Sequence, residues 1–101
     1  VEEVDEGDEI SKALGDKKVA IVQNHGILTT GPSVDIALWF YMSMERCCQA
    51  QLMAEAAGKP ISVSHETAVK TREFIANDIA AWASYQPAFD KIVKMQPDLL
   101  D

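Results

Sequence analysis

The sequence predicts an α/β chain with one or two short strands and about four helices. Three observations carry this. "KVAIVQ", residues 18–23, is apolar, β-branched and about six residues long, as a buried strand is. From Ser33 onward, apolar residues recur at helical spacing through most of the chain. Gly15, Gly31-Pro32 and Gly58 with Pro60 fall between these segments, where turns need them.

In order, "EGDEISKALGDK" reads as a short helix, with Ile10, Ala13 and Leu14 on one face and Gly15 as its stop. The strand "KVAIVQ" follows. After Asn24-His25-Gly26, "ILTTG" reads as a second short strand. One or two strands do not make a stable sheet, so further β partners are expected from elsewhere. Ser33 is placed to cap a helix over Val34 to Ala57, with Asp35 in the first turn where a negative charge suits the helix dipole. Gly58 is placed to end it and Pro60 prevents its continuation. At 1.5 Å per residue this helix is roughly 35 Å long. Leu38, Trp39, Phe40 and Tyr41 are consecutive and point about 100° apart, leaving a polar arc of Asp35, Glu45, Arg46 and Gln49. Such a helix has to bury more than one side, between two layers or against another subunit. A further helix is expected from Ser64, with Ala68, Ile75, Ile79 and Trp82 as its apolar stripe. A last short helix is expected from Pro87, with Phe89, Ile92 and Val93 turned inward.

A chain of 101 residues is one domain or a piece of one. The net charge of −7 is concentrated in an acidic lead-in, residues 1–9, which holds six of the sixteen acidic side chains. This lead-in is either solvated or a helix start. The rest is nearly balanced and has no basic face, so nucleic acid is not an expected partner. Cys47 and Cys48 are adjacent and point apart on a helix, so they read as small buried hydrophobes of a reducing compartment rather than a disulfide or a metal pair. The most apolar segment, "VDIALWFYMSM", is too short and too closely flanked by charge to span a membrane. The start is Val rather than Met and shows no basic-then-apolar leader. A cytoplasmic chain, processed or truncated, is expected.

His25 is the candidate functional residue. It stands at a strand end, where α/β proteins place their chemistry. Gly26 lets the backbone turn where a Cβ would obstruct, and Asn24 brings an amide able to orient a neighbour or fix the turn. The alternative is a hydrogen-bonded structural histidine. His65, between Ser64 and Glu66, reads as a surface or capping residue. Glu45 and Arg46 read as a solvated or salt-bridged stripe. Thr29, Thr30, Gly31 and Ser33 precede a helix N-terminus, which suits an anion but is more simply a cap. Trp39, Phe40 and Met44 read as core or interface, and nothing selects Tyr41 or Tyr85 over packing.

"AIVQNHGILTTGPSVDIALWFYMSMERCCQAQLMAEAAG" resembles the C-terminal half of the class II aldolase and adducin head-domain family. The shared pattern is an apolar strand, Asn-His-Gly, a two-residue apolar step, a turn glycine and a long helix with an acidic first turn. The resemblance covers about Leu14 to Gly58, and more loosely the later helix and tail. It implies that residues 1–101 are the C-terminal part of a single three-layer α/β/α domain. It implies that His25 is one of three imidazole ligands to a divalent metal, usually zinc. The other two come from an upstream His-x-His, and an upstream glutamate is the acid/base. Zinc on three neutral imidazoles keeps positions open for a substrate carbonyl and hydroxyl. This chain holds no His-x-His, so the remaining ligands are expected from outside it, and the chain alone is not expected to be active. The implied function is part of a zinc-dependent lyase that makes or breaks a carbon–carbon bond in a small sugar phosphate, L-fuculose-phosphate-aldolase-like. The alternatives are an adducin-like assembly module without catalysis, and an epimerase or dehydratase on the same fold. The expected partners are the rest of the domain, further copies in a homo-oligomer such as a tetramer, and a small-molecule substrate.

Overall fold

A computed structural model describes residues 2–101, with side chains from Gly7 onward. The order is α1 (Glu2–Leu14), β1 (Val19–Val22), β2 (Gly26–Thr29), α2 (Val34–Ala57), α3 (His65–Ile75), α4 (Asp78–Met95) and a closing 3₁₀ turn, Pro97–Leu100. The acidic run belongs to a helix, which begins at Glu2 rather than at the expected Glu6. Acidic residues suit the positive end of a helix dipole. Gly15 ends α1 as expected, at φ +54°, with its N–H on the Ser11 carbonyl.

The two strands find each other. β1 and β2 form an antiparallel hairpin in the register Val19↔Thr29, Ala20↔Leu28, Ile21↔Ile27 and Val22↔Gly26. The expectation that β partners come from elsewhere is corrected to that extent; among the described residues no third strand joins the sheet. Side chains alternate across a strand, and opposed residues share a face. Val19 and Thr29 therefore face α2, where Val19 packs on Ile36 and Phe40 and the Thr29 hydroxyl donates to the Ala37 carbonyl at 2.8 Å. Ala20 and Val22 lie on the opposite face, beside Ile10 and Ala13 of α1. The result is α1, hairpin and α2 in three layers, with α4 packed on α2 beyond the sheet. This is a part of the α/β/α arrangement that the family resemblance implies.

α2 has the expected bounds. The Ser33 hydroxyl accepts the Ile36 N–H at 3.3 Å, and Gly58 terminates the helix in an extended conformation, φ 170°, rather than a left-handed one. The core is small: Ile36 and Phe40 of α2 and Ala81 of α4, with Tyr85 buried one turn further along α4. Burying side chains the size of Ile36 or Phe40 contributes about 1.5–3 kcal/mol each. Two long-range contacts hold the same layers. Lys18 Nζ stands 4.9 Å from the centre of the Phe40 ring and also donates to the Ala76 carbonyl. Gln86 Nε2 donates to Asp35 Oδ2 at 3.0 Å, joining α4 to the start of α2.

The C-terminal third departs from expectation. The helix expected from Ser64 divides at Asn77. Its amide Oδ1 accepts the Ala80 N–H at 2.8 Å and starts α4, while its Nδ2 donates to the Glu73 and Phe74 carbonyls and ends α3. Pro87 does not start a helix; it lies inside α4. The helix continues around it between Tyr85 and Phe89, whose rings stand 6.4 Å apart. The stripe of Ala68, Ile75, Ile79 and Trp82 is not the core face, because the division at Asn77 breaks its phase. Ile79 is 80% exposed and Trp82 52%. Phe89, Ile92 and Val93 are half-buried, as expected. Cys47 is exposed and Cys48 half-buried, which corrects the reading of both as buried hydrophobes. Both stand on α2 just before the wholly exposed stretch from Gln49 to Ala57.

Candidate metal-ligand site

His25 is the last residue of the hairpin turn. Its N–H donates to the Val22 carbonyl at 3.0 Å, closing a turn over Gln23 and Asn24. Asn24 sits at φ +64°, at the position where a type II turn requires positive φ. Asn tolerates this left-handed region better than most residues with a side chain. Gly26, on the other side of His25, is at φ +130°. A Cβ there meets no atom within 4 Å, so the demand for glycine is torsional rather than the obstruction expected from the sequence. The Asn24 amide makes no hydrogen bond among the described residues, so the turn is fixed by the backbone conformation of Asn24.

The His25 side chain is exposed and lines an open pocket of ≈ 220 Å³ with Ile10, Val22, Gly26, Ile27 and Leu28. The walls are apolar, and the imidazole is the group in them able to ligate a metal. Among the described residues no three His, Cys, Asp or Glu side chains come together as a metal-holding group. His25 is thus a donor of suitable chemistry in an accessible position. A complete ligand set requires donors from outside the described residues.

The other candidates separate from it. His65 is the first residue of α3 and exposed, while the Ser64 hydroxyl caps the helix through the Thr67 N–H at 3.2 Å. Ser33 is an ordinary cap and the Thr29 hydroxyl is committed to Ala37, so the α2 N-terminus uses these groups internally. Glu45 and Arg46 are exposed. Tyr85 and Phe40 belong to the core, Trp39 and Met44 are half-buried, and Tyr41 is 43% exposed.

Two features of this region escape a reading by residue type. Gly31 marks a close approach: a Cβ there would stand 3.0 Å from Ile36 Cγ2 and 3.1 Å from the Ala37 nitrogen. Asp35, read as a dipole partner, also accepts from Gln86, 51 positions away. The Gly-Pro pair before a cap hints at the first. Nothing local signals the second.

Residues 1–52 match the family described as the Class II Aldolase and Adducin N-terminal domain. The chain is 37% identical over 95 residues to decarboxylase NovR of Streptomyces niveus, covering 94% of this chain and 35% of that protein. It is 35% identical over 95 residues to the 4-hydroxy-3-prenylphenylpyruvate oxygenase/4-hydroxy-3-prenylbenzoate synthase of Streptomyces roseochromogenus subsp. oscitans, covering 94% of this chain and 34% of that protein. The fold superposes on L-fuculose 1-phosphate aldolase from Glaciozyma antarctica PI12 with a TM-score of 0.84 at 36% identity, over 88% of this chain and 36% of that one. The chain spans about a third of the length of the curated relatives it matches.

Proposed function

Because the chain belongs to the class II aldolase and adducin N-terminal domain family, we propose that it is the C-terminal part of one such domain in a metal-dependent lyase. The substrate is a small hydroxy-carbonyl compound, with a sugar phosphate as the first case to test. His25 supplies one metal ligand. The observation that carries this reading is the placement of an exposed imidazole at the outer end of the hairpin, beside an apolar-walled pocket. When bound, a divalent metal supplies a Lewis acid that polarises a carbonyl oxygen. The contribution of this chain is to hold the His25 imidazole in place and to keep one wall of its surroundings apolar through Ile10, Ile27 and Leu28. The acid/base and the remaining ligands come from outside the chain. Relatives named for decarboxylation and for oxygenation match the same stretch of sequence, so 2-oxo acids are the second substrate class to test.

The test is metal analysis of the intact protein. About one zinc per domain is expected, with loss of the metal in His25→Ala. Full zinc occupancy in that variant removes His25 from the site. The second reading is an adducin-like assembly module, or a sugar-phosphate epimerase or dehydratase on the same fold. The assembly reading is favoured by the bare apolar end of α2, where Leu52 is 67% and Met53 66% exposed. A homo-oligomer accords with either reading. Absence of a His-x-His and an acidic partner elsewhere in the intact protein, together with absence of metal, selects the assembly module.

A further inference from the structure

Three residues among those described carry positive φ: Gly15, which ends α1, and Asn24 and Gly26, which flank His25. We propose that Asn24 is a positioning residue for His25, and that it acts through its left-handed backbone rather than through its amide. This rests on the reading of His25 as a metal ligand. The Asn24 turn sets where the backbone of residue 25 emerges, and the His25 N–H to Val22 carbonyl bond locks that direction at 3.0 Å. Gly26, at φ +130°, already pairs with Val22 and opens β2, so the ladder resumes directly after His25. The imidazole is thereby mounted between two backbone conformations that most residues do not adopt. A β-branched residue at position 24 is a steric outlier in that region, whereas glycine adopts it without cost. The side-chain amide is dispensable, since no hydrogen bond of the described structure uses it.

The test compares Asn24→Gly, Asn24→Ala and Asn24→Val in the intact protein, read as zinc affinity by competition with a chromophoric chelator. Thermal unfolding of the zinc-free protein serves as a second readout. Asn24→Gly is expected to bind zinc within about twofold of the parent, and Asn24→Val at least about tenfold more weakly. Asn24→Ala is expected to fall between them and answers the question if the Val variant does not fold. Equal weakening in Gly and Ala variants assigns the effect to the amide and overturns the proposal. Unchanged affinity in a folded Val variant also overturns it. His25→Ala separates this from the underlying reading. Zinc retained in His25→Ala means that His25 is no ligand, whereas zinc lost there but kept in Asn24→Val sinks only the positioning role.

Discussion

The two halves of α2 belong to one continuous helix and have opposite surroundings. Its first two turns place Ile36 and Phe40 between the hairpin and α4, leaving them 7% and 8% exposed. Its last turns carry Leu52, Met53 and four alanines, and every residue from Gln49 to Ala57 is exposed. Helical periodicity alone does not distinguish the halves, because both are apolar over much of their circumference. The difference lies in what the rest of the chain brings alongside. The core cluster with the hairpin and α4 lies on the first two turns, half-buried residues continue to Met44 and Cys48, and the helix beyond them is exposed. The far half presents apolar side chains, Leu52 and Met53 among them, on the surface of the described structure.

The largest effect is expected for the 101 residues on their own. The expected outcome is aggregation or a transition without cooperativity, and a stable monomer in sedimentation would refute it. Within the intact protein, Phe40→Ala is expected to cost about 3–4 kcal/mol in denaturant unfolding, since it empties the core and removes the partner of Lys18. Asn77→Ala comes next at about 1–2 kcal/mol, because one amide serves the end of α3 and the start of α4. Leu52→Ala sharpens the contrast. It should move unfolding of a dissociated subunit by less than about 0.5 kcal/mol, while weakening any assembly that covers it. Gly58→Ala should be the mildest. Its φ of 170° suits any residue and an added Cβ meets nothing within 4 Å, so melting should stay level or rise slightly.

Much of the fold was legible because local chemistry decides it. Ser33 and Asp35 announce the start of α2, the β-branched run announces β1, and Gly15 stops α1. The pairing of β1 with β2 is not legible from residue type, because it depends on the left-handed Asn24 that closes the three-residue loop between them. Asn77 was missed because its neighbours continue a helical pattern; only its three hydrogen bonds show that the pattern is cut. The burial of the cysteines was misjudged because burial depends on what lies opposite, which residue type does not report. For the candidate site, His25 and its two flanking residues were visible as an interruption of the strand pattern. The torsional role of Gly26 was not, since a sequence does not distinguish crowding from a forbidden φ.

The tie between the Thr29 hydroxyl and the Ala37 carbonyl has a consequence at a distance. The hairpin is supported at both ends, with Ile10 of α1 beside Val22 and His25 at its tip. It is anchored at its base, where Thr29 grips α2 and the Thr30 N–H meets the Lys18 carbonyl at 3.0 Å. The turn bearing His25 projects roughly 10 Å away, the reach of three strand residues. The anchorage at the base sets the angle at which the hairpin leaves α2, and α1 backs the far end through Ile10. The precision with which the imidazole meets a ligand is therefore set partly by a hydroxyl that never approaches it.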